Sequence, residues 1–231
     1  MTFGARLEAI GKLVPKNKIL ADIGTDHGYL PVLLVKEGKI EKAIAGDIAA
    51  GPCEAARNTI ISYNYVDAIE VRQGDGLKVL KPGEAEVIAI CGMGGTTIIH
   101  ILEASPEIIA KATRIILQPM NGADLLRHWC EKNGWKLVAE DLVEDTGKLY
   151  EILALEKGES KSYPEIYYEV GPLLIEEKHP MLLKQIDKLI GKYNNVLDVM
   201  GKSKAVRQTE KYKHFLKQKE TLEDLKNENN S

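Results

Sequence analysis

The densest run of chemistry-bearing residues is Asp22-Ile-Gly24-Thr25-Asp26-His27-Gly28-Tyr-Leu-Pro31, where a β-type apolar segment ends in an acid and passes through two glycines into a helical pattern. Glycine lets backbone approach a ligand closely, and a helix beginning at such a turn offers its first amides to an anion. Gly24 and Gly28 stand four residues apart, and Asp26 occupies the place of the second glycine in the G-x-G-x-x-G dinucleotide fingerprint. A carboxylate there repels a pyrophosphate. It suits S-adenosylmethionine, whose sulfonium and ammonium are cationic, so Asp22 and Asp26 are expected to face the ammonium while helix amides take the methionine carboxylate. Thr25 and His27 complete this expected cofactor loop, with His27 read as orienting the loop rather than catalysing.

Asp47, 23 residues after Gly24, ends a second β-type run at the place where an acid accepts both ribose hydroxyls, with Ile48 beside it. Gly74-Asp75-Gly76 follows the third run and offers a carboxylate to the exocyclic adenine amine, its glycines leaving room for the base. The fourth run closes in Cys91-Gly92-Met93-Gly94-Gly95, beside the expected methyl group, where small residues leave space for a planar base and Met93 can contact it. Gln118 ends the fifth run, and its amide can both donate to and accept from a base edge. Any one of these acids reads as a turn aspartate. Together, at the ends of successive strands, they mark the crevice where open α/β sheets bind ligands.

Strands and crossover helices must carry these positions. The β-type runs are Ile19–Ile23, Lys42–Asp47, Ile69–Arg72, Glu86–Cys91, Arg114–Gln118, Trp135–Leu142 and Tyr150–Leu155, alternating with helical patterns until the last two, which only Glu144–Lys148 separates. Alternation implies a parallel sheet, and the short final connection implies an antiparallel hairpin. Arg6–Val14 reads as a helix before the first strand. Gly51-Pro52 places proline at the start of a helix over Cys53–Tyr63, and Asn121-Gly122-Ala123-Asp124 opens Leu125–Lys132. The expected fold is α/β: a class I methyltransferase, Rossmann-like, seven-stranded sheet with the last strand antiparallel.

After Gly158 no β-type run recurs, which predicts two domains, 1–158 catalytic and 159–231 helical. Leu182, Ile186, Leu189, Tyr193, Val196 and Met200 form a heptad seam, continued more weakly by Ala205, Thr209, Tyr212 and Leu216 after a break at Gly201-Lys202-Ser203. That pattern predicts an antiparallel, coiled-coil-like hairpin, frayed over Asn227–Ser231. Residues 1–160 carry 18 Lys and Arg against 23 Asp and Glu, whereas 181–219 carry 10 against 3. Lys184, Lys188 and Lys192 lie opposite the seam, and Lys204, Arg207 and Lys211 repeat a basic stripe on the second helix, so this arm is expected to contact nucleic-acid phosphates.

The composition, 44% hydrophobic and 28% charged over 231 residues, excludes a disordered or collagen-like chain. Cys53, Cys91 and Cys130 lack metal-ligand spacing and read as small buried hydrophobes in a reducing compartment. No apolar stretch reaches a membrane span, and the N-terminus lacks a signal-peptide core, so a cytoplasmic protein without metal or membrane partner is expected, monomeric unless the tail dimerises.

The runs D-I-G-T-D-H-G-Y-L-P, G-D-I-A-A-G-P, Q-G-D-G-L, I-C-G-M-G-G and I-L-Q-P-M, with the N-terminal Arg6-Leu7 helix, resemble the bacterial tRNA N1-adenine methyltransferases that modify position 22 of tRNA, the TrmK family. The resemblance covers about residues 1–155 in order and spacing, and the tail matches in character. It implies a methyltransferase body using S-adenosylmethionine, a coiled-coil domain that helps hold tRNA, and Asp26 as a family trait. On that footing Asp26 would stabilise the cationic product, and Gln118 or the backbone at Gly92–Met93 would hold the adenine edge. The competing reading is a small-molecule or protein methyltransferase whose tail dimerises.

Overall fold

The computed structural model describes residues 3–230, which divide into two compact units, one up to Ser162 and one from Tyr163. The first holds a sheet of seven strands: β1 Leu20–Ile23, β2 Ala43–Asp47, β3 Ile69–Gln73, β4 Val87–Gly94, β5 Arg114–Asn121, β6 Trp135–Asp145 and β7 Lys148–Lys157. Their order is β3-β2-β1-β4-β5-β7-β6, so the chain reverses direction across the sheet between β1 and β4. β1 pairs in parallel with β2 and β4, whereas β7 is antiparallel to both β5 and β6. The hairpin therefore inserts its second strand beside β5.

Both faces are covered, which is why the central strands are continuous apolar runs rather than alternating ones. Ile88 and Ile90 of β4 join a core on one face with Leu102, Leu126 and Trp129, while Val87 and Ala89 join the other with Ile10, Leu34 and Ile60. The first group comes from α4 (Gly95–Glu103) and α6 (Ala123–Lys132), the second from α1 (Ala5–Leu13), α2 (Tyr29–Lys36) and α3 (Ala50–Ser62). A one-turn α5, Pro106–Ile109, precedes β5. α3 starts at Ala50, so Pro52 is its third residue rather than its first. β4 continues through Cys91 to Gly94 with irregular register against β5.

The second unit is helical: α7 Glu165–Val170, α8 Pro172–Glu176, α9 Leu182–Met200, α10 Lys204–Arg207 and α11 Glu210–Asn229. α9 and α11 run antiparallel, since Lys226 Nζ reaches Asp187 Oδ1 at 2.6 Å while the Phe215 ring lies 5.8 Å from that of Tyr193. The buried stripe of α9 ends in Leu197 rather than Val196. An α-helix of 3.6 residues per turn drifts by about 20° per heptad, which carries the stripe one residue on. On α11 the buried residues are Leu222 and Leu225, whereas of the expected continuation Ala205 on α10, Thr209 before α11 and Leu216 on α11 are exposed. Residues 227–229 remain helical where fraying was expected, and Ser231 lies outside the described residues.

Candidate active site

At the C-terminal ends of β1, β2 and β4 a cavity of about 590 Å³ opens, lined by Asp22, Gly24, Thr25, Asp26, His27, Asp47, Gly92 and Met93 among others. Eight of the sequence-selected residues thus meet, because parallel strands on either side of a switch point end at one level. Asp22 is buried at the end of β1 and accepts a hydrogen bond from Thr25 Oγ1 at 2.7 Å. Burial raises its carboxyl to about 6, and the nearby charge of Asp47 pushes the same way against the Thr25 bond. Asp47 itself accepts from the Ala49 backbone N–H at 2.9 Å, which fixes the turn into α3.

The loop between β1 and α2 requires its glycines. Gly24 has φ +75°, and a Cβ there would collide with Met93 Cε, which rests against it. Gly28, at φ +69°, caps α2 from the left-handed region. Asp26 adopts φ 51° without being glycine, a conformation that aspartate tolerates better than most residues. Its side chain is 74% exposed at the rim, with His27 Nε2 3.7 Å away. The His27 ring stacks on that of Tyr29 at 5.2 Å between centroids.

Six selected residues do not line this cavity, among them Gly28, whose part is to start α2. Ile48 is 66% exposed beyond β2, and its carbonyl accepts from Gln73 Nε2. Gly74 serves the backbone, donating its N–H to the Asp47 carbonyl. Asp75 pairs with Lys78 at 2.6 Å and, with Gly76, lines a separate hollow of about 290 Å³ beside Thr97, His100 and Ser105. Gln118 is fully buried, and its amide is already committed: Nε2 donates to the Pro119 carbonyl, while Oε1 accepts from Arg6 Nη1 at 3.0 Å. Its expected part in reading a base edge is thereby corrected to support of Arg6.

Sequence reasoning missed Arg6, Leu7, Tyr29, Leu30, Cys91 and Met120 in the lining. Arg6 carried a usable signal, a cation on the inner turn of a short amphipathic helix, but nothing local says that α1 folds back over the strand ends. Cys91, expected to be buried like Cys53 and Cys130, is only half-buried and lines the cavity, whereas those two are buried. Among the described residues no cluster of His, Cys, Asp and Glu could hold a metal ion, and no helix is long and apolar enough to cross a membrane.

In the second unit Lys184, Lys188 and Lys192 are exposed along α9, opposite the buried Leu182, Ile186 and Leu189. The second basic stripe is not continuous. Lys204 and Arg207 lie on α10 and Lys211 on the first turn of α11, separated where Thr209 Oγ1 accepts from the Tyr212 N–H and starts the new helix. Arg207 Nε is turned inward to the Gly201 carbonyl, and Lys211 Nζ lies 5.9 Å from the Phe215 ring centre.

The family model for tRNA (adenine(22)-N(1))-methyltransferase matches residues 20–221. The chain is 41% identical over 185 residues to the tRNA (adenine(22)-N(1))-methyltransferase of Bacillus subtilis, covering 78% of each protein. Among solved structures, that of Streptococcus pneumoniae Sp1610 in complex with S-adenosyl-L-methionine superposes with TM-score 0.87 at 32% identity, covering 97% of this chain and 100% of that one. The B. subtilis m1A22 tRNA methyltransferase gives TM-score 0.84 at 35% identity, covering 99% and 98%.

Proposed function

The chain belongs to the tRNA (adenine(22)-N(1))-methyltransferase family, and we propose that it transfers the methyl group of S-adenosyl-L-methionine to N1 of the adenine at position 22 of tRNA. The observation that carries this reading is the meeting of Asp22, Asp26 and Asp47 in one cavity at the switch point of the sheet. The residues present fit the donor. Asp22 suits its ammonium, Asp47 its ribose hydroxyls, and Gly24 leaves the floor without a side chain. Bound there, the donor supplies an electrophilic methyl on a sulfonium.

Adenine N1 carries its lone pair in the ring plane, so the attack needs no strong base, and positioning supplies most of the acceleration. Gly92 and Met93, at the irregular end of β4, offer backbone and a flexible apolar side chain to the base. The product adenine is cationic, and the Asp26 carboxylate at the cavity rim stabilises that developing charge. N1 is occupied in a paired base, which means that the target must be unpaired or flipped out before transfer. The exposed lysines of α9 supply phosphate contacts on the helical unit.

The test is incubation with bulk tRNA and methyl-labelled S-adenosylmethionine, followed by mass-spectrometric mapping of the labelled nucleoside. Label in N1-methyladenosine at position 22 is the expected result. Label at another nucleoside, or none on tRNA while a small molecule or protein becomes methylated, would overturn it.

A further inference from the structure

The methyl donor carries an α-carboxylate as well as an ammonium; the acidic lining provides for only the second, which leaves the carboxylate to the first residues of α2, Tyr29 and Leu30, or to a cation. Resting on the donor reading above, we propose that Arg6 binds the donor's α-carboxylate, facing Asp22 across Cys91 and Gly92. Arg6 is the one lysine or arginine in the cavity lining, where Asp22, Asp26 and Asp47 supply the negative charge. It is held in place from several directions. Its backbone N–H donates to Asp145 Oδ2 at 3.1 Å, its Nη1 donates to Gln118 Oε1 at 3.0 Å, and its guanidinium lies 5.2 Å from the centre of the Tyr150 ring. Gln118 is itself fully buried, and its other amide atom donates to the Pro119 carbonyl.

None of these contacts is an ion pair, and the guanidinium has no carboxylate partner among the described residues. A positioned arginine with unspent donors is suited to an oxyanion. Cys91 locates it relative to Asp22: on β4 it stands two residues beyond Ala89, which pairs with Asp22 of β1, and opposite Gln118 of β5, which holds Arg6. Asp22, Cys91 and Arg6 all line the one cavity. Next to Cys91, Gly92 has no side chain, and Arg6 Nη1 lies 3.9 Å from where a Cβ would stand, so nothing walls the arginine off from the cavity. An α-amino acid holds ammonium and carboxylate on one carbon, and Asp22 with Arg6 matches that arrangement charge for charge. An RNA phosphate is the rival anion. It would meet the carboxylates of the lining with no ammonium of its own to offset them, whereas the donor's carboxylate arrives with one.

The test compares S-adenosylmethionine with its decarboxylated analogue, which lacks only this carboxylate, by calorimetry on the full chain. The unmodified protein should prefer S-adenosylmethionine by about 10-fold or more, as for a lost charge-assisted hydrogen bond. Arg6→Gln should bind the two alike, and Arg6→Lys should keep part of the preference. 5′-Methylthioadenosine, which has no amino-acid end, should bind Arg6→Gln as it binds the unmodified protein, which establishes that the pocket is intact. The proposal is overturned if the unmodified protein does not discriminate, if Arg6→Gln loses affinity for all the ligands equally, or if the preference survives while the KM for tRNA rises. An unmodified protein that binds neither S-adenosylmethionine nor its analogue would overturn the donor reading as well.

Discussion

Asp22 shows how far a residue's surroundings outrun its sequence context. Its type and spacing marked it as a ligand acid, but only burial, helped by the charge of Asp47 and opposed by the Thr25 hydrogen bond, raises its carboxyl to about 6. With the carboxyl raised to about 6, a donor ammonium meets a partly protonated partner in mildly acidic solution. Affinity for S-adenosylmethionine should therefore fall as pH drops through about 6 and level off above it. Asp22→Asn should bind at the low-pH level throughout, and calorimetry from pH 5 to pH 8 reads both. The same shift has the opposite sign for folding: ionised Asp22 costs stability above about 6, and that cost fades as pH falls toward 3.8. Asp47 gives a second outcome. Asp47→Ala should weaken donor binding by about 1–3 kcal/mol through loss of a charged acceptor, and unchanged affinity in a folded variant would reduce it to a turn residue. Residues such as Gln118 were misjudged because an amide free to read a base in the sequence is, in the fold, bonded on both sides.

At the scale of elements, the strands were legible because two-sided burial writes them as apolar runs, and each of the seven observed strands overlaps an expected one. The position of β7 between β5 and β6 was not, since no local pattern records which edge a hairpin presents. A buried ion cluster records it instead. Arg127 of α6 donates to Glu140 of β6 at 2.7 Å and to Glu151 of β7 at 2.9 Å, with Arg127 and Glu140 wholly inaccessible. In sequence Glu140 looks like a surface acid on a half-exposed strand. Arg127→Met should cost about 3–5 kcal/mol, because it leaves two carboxylates with their buried partner removed. Denaturant unfolding measures this, and a loss below about 1 kcal/mol, the range of exposed pairs, would mean that water or other groups already satisfy the acids. The helical unit was misread for a related reason. Its helices do not keep a strict heptad, so Leu197, Leu222 and Leu225 are buried off the seam that the spacing predicts.

At the scale of the whole molecule, the charge asymmetry in the sequence coincides with a division of the structure at Ser162 and Tyr163. All seven strands, both sheet cores and every residue lining the donor cavity precede that point. Truncation after Ser162 should consequently leave a folded body that binds S-adenosylmethionine, yet it should lose tRNA, since the most basic stretch is removed with the helices. The lysines of α9 separate charge from mere bulk. Replacing Lys184, Lys188 and Lys192 with alanine in the full chain should weaken tRNA binding and flatten its salt dependence, each lost phosphate contact removing about 0.7–0.9 from the slope of log K against log salt. Donor affinity should stay unchanged. Filter binding across a salt series distinguishes the cases: an unaltered slope would make these lysines a solvated helix face, and the recognition of tRNA would then have to reside on other residues.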